Sequence, residues 1–128
     1  MIRRIALILA VGLAALGAPV AALAQPARTL DAFVTEANRI PLNPTAMLRP
    51  SARRLAGEAS EAFRVIGGEI RAARAAGRTP VACPADKIQV NPRQLLAFFN
   101  AIPQPRRARM SVTDGFRAWM ADRYPCRG

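Results

Sequence analysis

Cys83 and Cys126 are the only cysteines in the 128-residue chain, and the second lies two residues from the carboxyl end. Joined, they would close a loop of about 44 residues, worth about 4 kcal/mol in the chain-entropy view. Whether they join depends on the compartment, because disulfides persist where the surroundings are oxidising. The amino end speaks to that. Arg3 and Arg4 form a basic start, Ile5 to Val20 is apolar apart from glycine and one proline, and Ala22-Leu23-Ala24 has the small-x-small form of a signal-peptidase site. This pattern predicts a cleaved Sec-type signal peptide over residues 1–24, a mature domain over 25–128, and export to the periplasm. The alternative is an uncleaved membrane anchor, since the apolar run approaches spanning length. Gly17 and Pro19 break the run just before Ala22, which favours cleavage and no stable membrane span afterwards. In an exported chain, two cysteines are read as one disulfide.

The rest of the chain is punctuated by proline and glycine into helical stretches. Thr29 is placed to cap a helix carrying Leu30, Phe33, Val34 and Ala37, and Pro41 stops that run. A single helical turn is expected around Ala46, Met47 and Leu48. Ser51 then opens the longest element, which Gly77 closes. Its apolar stripe is Leu55, Ala59, Ala62, Phe63, Ile66, Ile70 and Ala73, recurring at steps of three and four. Gly67-Gly68 lies inside it at a cost of about 1 kcal/mol per glycine. A close approach by a neighbouring helix, or a kink, would offset that cost. Asn91, followed by Pro92 at the first helical position, begins a helix with Leu95, Phe98, Phe99 and Ile102 inward. Residues 104–110 read as a basic linker. Ser111 and Asp114 have the spacing of a capping box, before the final stripe of Phe116, Trp119, Met120 and Tyr124. The expected fold is all-α, a small irregular bundle of about four helices with one disulfide.

The composition excludes several kinds of chemistry. No histidine is present, which removes the commonest general base and the usual zinc ligand. Lys87 is the only lysine after residue 24, and nothing places it beside a serine. Ser51 and Ser111 stand where caps are expected. The chain is therefore read as non-enzymatic, with no cofactor and no metal. Seventeen basic and all eight acidic residues follow residue 24, giving that part a net charge of +9. A solvated, arginine-decorated helix surface explains such a charge. An acidic partner or an anionic surface is the sharper reading, with Arg106, Arg107 and Arg109 as candidate partner-binding residues. Export and the scarcity of aromatic residues argue against nucleic acid.

The carboxyl half also carries a resemblance. Gly67, Gly68, Cys83, Pro84, Gln94, Leu95, Pro103, Phe116, Tyr124, Pro125 and Cys126 follow a recognisable order. It consists of a glycine-containing helix, Cys-Pro, a polar-Leu helix start, a proline near that helix's end, and a closing helix ending in aromatic-Pro-Cys. This outline resembles the Rap/Tai-type immunity-protein family. The resemblance implies an exported all-helical protein, often a homodimer, that binds and inhibits a peptidoglycan amidase effector delivered by type VI secretion. Many members have a further cysteine in the glycine-containing helix; this chain has none. The competing expectation is a small periplasmic envelope stress protein or chaperone, also non-enzymatic.

Overall fold

The computed structural model describes residues 28–127 together with Gly17. The rest of the expected signal peptide and its cleavage site lie outside the described residues. Five α-helices and one 3-10 turn follow in order: α1 (Leu30–Ala37), the turn Ala46–Leu48, α2 (Pro50–Ala75), α3 (Pro92–Ala101), α4 (Gln104–Arg107) and α5 (Val112–Arg123). The fold is all-α. Among the described residues the only sheet-like pairing is an isolated antiparallel bridge between Thr29 and Ser111. It brings the starts of α1 and α5 together through Leu30 N–H to the Met110 carbonyl at 2.8 Å and Val112 N–H to the Arg28 carbonyl at 3.3 Å.

Local hydrogen bonding fixes most helix ends. Thr29 Oγ1 accepts from Ala32 N–H, and Asn91 Oδ1 accepts from Arg93 and Gln94 N–H. Ser111 and Asp114 make both arms of a capping box, at 3.0 and 3.1 Å. α2 departs from expectation at its start. It begins at Pro50, with Arg49 in the cap position and no side-chain cap, so Ser51 already lies inside the helix. Proline fits there because the first helical N–H has no helical acceptor. At the other end Gly77, at φ 68°, takes the left-handed conformation that releases the chain from α2. Arg78 N–H to the Ala73 carbonyl and Gly77 N–H to the Arg74 carbonyl then complete a Schellman closure.

The core lies where α1, α2, α3 and α5 meet, with α5 packed most extensively along α2. Leu30, Ile66, Phe99, Phe116 and Met120 are among its fully buried side chains. Every aromatic residue of the chain belongs to one connected set of edge-to-face contacts. Phe116 sits at its centre, 5.7 Å from Phe33, 5.1 Å from Phe63 and 5.2 Å from Phe99 between ring centroids. Phe98 joins through Phe99, and Tyr124 joins through Trp119 and Phe63. Each such pair adds about 0.5–1.5 kcal/mol beyond the area it buries.

The disulfide forms between Cys83 and Cys126, with Cα atoms 4.9 Å apart. It fastens the end of α5 to the segment leaving α2 rather than to the start of α3. Cys83 N–H to the Tyr124 carbonyl at 2.8 Å and Gln89 N–H to Tyr124 Oη at 3.2 Å hold the same junction.

The glycines divide sharply. α2 runs unbroken through Gly67 and Gly68, and a Cβ there would meet only the Arg71 guanidinium, at 3.4 and 3.9 Å. The expected close helix approach is at Gly115 instead. A Cβ at that position would lie 2.5 Å from Leu30 Cδ1 and 2.7 Å from Cδ2, so the fully buried Leu30 side chain would have to shift within the core. Gly115→Ala is therefore expected to destabilise the protein by about 2 kcal/mol through overpacking, and Leu30→Ala in the same chain to recover part of that loss. Gly68→Ala should act in the opposite direction, stabilising by up to about 1 kcal/mol through helix propensity. Denaturant midpoints at constant m-value measure both; equal effects at the two glycines would contradict this packing.

Candidate functional site

Two features remain after the core and its ties are accounted for: a surface whose positive charge is not neutralised, and an open apolar groove.

The charge follows from where the carboxylates are spent. Asp31, Glu36, Glu58, Glu61, Glu69 and Asp114, six of the eight acidic residues, are held in ion pairs with only five arginines. Arg28 joins Glu36 of α1 to Glu58 of α2, and Arg54 adds a second contact to Glu36. Arg117 of α5 grips Glu69 of α2 in a two-pronged pair at 2.7 and 3.0 Å, while also reaching Asp114 at 2.7 Å. These pairs join helices. The other basic side chains have no carboxylate within ion-pair distance among the described residues.

Of the three arginines expected to meet a partner, one has an internal task. Arg107 is nearly buried, its side chain 13 % exposed and paired with Asp31 at 3.2 Å. It also donates to the carbonyls of Ile102 at 2.9 Å and of Phe99 and Asn100 at 3.4 Å. Those carbonyls belong to the end of α3, where no further helical N–H is available. Arg107 thus caps α3 and ties it to α1. Gln104 Nε2 adds a bond to Asp31 at 3.2 Å. The first part of the segment read as a linker is therefore the short helix α4, seated by these bonds. Arg106 projects from it and Arg109 from the turn that follows, both exposed. Cys83 and Cys126 are placed together, as a structural tie.

The groove has a volume of about 940 Å³. Its base is Phe33 and Phe116; its walls include Leu55 and Phe63 of α2 and Leu95 of α3. It stays open because α2 offers it small residues, Ala52, Ala56, Ala59 and Ser60, over its first half. Leu42, Met47 and Val90 line the opening and are 39, 55 and 40 % exposed. Exposed apolar side chains gathered at one opening mark a binding surface more often than chance placement does. The sequence held one signal for this, the alanine-rich first half of α2, but periodicity counts alanine as core and does not show what faces it. Arg93 is the sole charged residue in the lining.

Among the described residues, no helix is long and apolar enough to cross a membrane, and no group of three or more metal-ligating side chains gathers. Comparison of the chain with family models, with curated proteins and with solved structures finds no match in any of the three.

The ion pairs give the fold a definite pH response. The Arg28 hydrogen bond holds the Glu36 carboxyl below its ordinary range, and the Arg117 hydrogen bond does the same for Glu69. For Asp114 the largest cause is the Ser111 backbone N–H. A carboxylate with a depressed folded-state value contributes stability that is complete above its unfolded value and lost as pH falls through the folded one. Stability is therefore expected to fall from about pH 5 downward. Glu69→Gln should flatten part of that slope while lowering stability at pH 7. Urea midpoints measured across pH check this; an unchanged slope in the variant would contradict it.

Proposed function

We propose that this protein is an exported, non-catalytic binding protein of the immunity type, which inhibits a cell-wall amidase effector by covering its active site. The observation that supports this most is the rigid presentation of unneutralised positive charge. Arg106 stands exposed on α4 and Arg109 on the turn that follows, a short segment anchored from beneath by Arg107 and Gln104 on Asp31. Charge held in place before binding costs less ordering when a partner arrives, and charge complementarity raises the association rate. The resemblance of the carboxyl half to Rap/Tai-type immunity proteins names the partner class. Homodimerisation and a periplasmic location belong to the same reading, and the disulfide is in keeping with an oxidising compartment.

The protein, mixed with amidases encoded beside its gene, is expected to co-purify with one of them and to stop its peptidoglycan hydrolysis at equimolar ratio. Arg106→Glu with Arg109→Glu should slow association markedly, most at low salt, and leave the thermal midpoint unchanged. Lack of binding at micromolar concentration would end this reading. Protection of unfolding clients from aggregation at low pH, without effect on any amidase, would favour the chaperone instead.

A further inference from the structure

The groove has a chemical polarity of its own, separate from the α4 surface. Its lining is apolar apart from Ser60 of α2 and a group of Asn43, Asn91 and Arg93, in which Asn91 caps the helix start that carries Arg93 and Arg93 reaches the carbonyl of Leu42, the neighbour of Asn43. Arg93 donates to the Leu42 carbonyl at 3.4 Å and has no carboxylate partner among the described residues. Both asparagines have their oxygens occupied. Asn43 Oδ1 accepts from Thr45 N–H and Oγ1–H at 3.1 and 2.7 Å, and Asn91 Oδ1 accepts from Arg93 and Gln94 N–H. What the two asparagines can still offer at the rim is donors, the Nδ2 amides. No acidic residue lines the groove. One end is therefore built of donors and positive charge, and the rest accepts hydrocarbon.

From this complementarity we propose that the groove binds a single-chain fatty acid, with its carboxylate against Arg93 and the asparagine amides and its tail along the half-buried Ala56, Phe63 and Leu96. The volume lies within the range of about 300–1,000 Å³ usual for small-molecule sites. A peptide strand fits less well, because its backbone N–H groups would meet few acceptors along the apolar walls. The tail instead covers Leu42 and Met47, which nothing else among the described residues covers. The proposal stands independently of the amidase reading, since Arg106 and Arg109 take no part in it.

Calorimetric titration of the purified protein with dodecanoate below its micellar concentration tests this. Saturable one-to-one binding is expected, with 1-dodecanol bound more weakly. Arg93→Ala should weaken dodecanoate about tenfold and leave dodecanol unchanged, as loss of a charge-assisted hydrogen bond implies. Ala56→Phe, which fills the groove, should weaken both ligands, and so should Met47→Asp at the exposed opening, a variant that leaves the core intact. Absence of saturable dodecanoate binding to the wild type would overturn the proposal. So would equal affinity for acid and alcohol, or undiminished binding by a folded Met47→Asp chain. Sedimentation supplies a further arm: a micromolar dimer abolished by Met47→Asp would assign the groove to a second copy and overturn it as well.

Discussion

The structure depends on the seating of α5 in the fork between α1 and α2. Gly115 allows the α5 backbone to come against Leu30, and the next residue, Phe116, then enters the centre of the aromatic set. Every larger interaction follows from that approach. Phe33, Phe63 and Phe99, each from a different helix, meet on one ring, so α1, α2 and α3 are held together by what α5 brings to them. Polar ties surround this centre without entering it. The Thr29–Ser111 bridge secures the start of α5, the Arg117–Glu69 pair its middle, and the disulfide its end. An element of 12 residues is thus fixed at three points along its length.

The same packing creates the open groove. Phe116 and Phe33 lie beneath it, so the groove runs directly over the buried aromatic core. Apart from the buried Leu55, the first half of α2 faces the groove with alanine and serine, which are too short to close it. Six of the eight acidic residues are committed to ion pairs, most of them between helices or at helix starts, which leaves the rim and the α4 surface positive. Interhelical cohesion and a basic exterior are two results of one distribution of carboxylates.

Features governed by short-range chemistry were legible in the sequence. Thr29, Asn91 and Ser111 announce helix starts because each side-chain oxygen needs only an N–H two or three residues on. Gly77 announces an end because few other residues accept its conformation. The single bridge between Cys83 and Cys126 followed from there being no other cysteine. Where two local signals competed, the reading slipped: Ser51 was expected to open the long helix, yet Pro50 opens α2 and leaves Ser51 no cap to make. Gly67-Gly68 drew attention as a pair, although both lie off the Ile66–Ile70 face, whereas Gly115 sits beside Phe116 on a buried one. Arg107 resembled its neighbours Arg106 and Arg109 in every respect but the long-range one, its fit to Asp31 and to the end of α3. The groove was beyond reach for a related reason. Periodicity shows which side of a helix is buried, but not whether the opposing side chains fill the space.

The anchoring of α5 can be followed directly through Trp119, the only tryptophan of the chain, which is buried between Phe63 and Tyr124. Its fluorescence during denaturant unfolding, compared between the oxidised protein and the protein reduced and alkylated at Cys83 and Cys126, measures how much the end of the helix depends on its tie. Reduction is expected to lower stability by about 4 kcal/mol, with the Trp119 transition moving to lower denaturant together with the loss of helicity. A midpoint unchanged by reduction would contradict the role assigned to the disulfide. A Trp119 transition that separates from the loss of helicity would contradict the dependence of the bundle on α5.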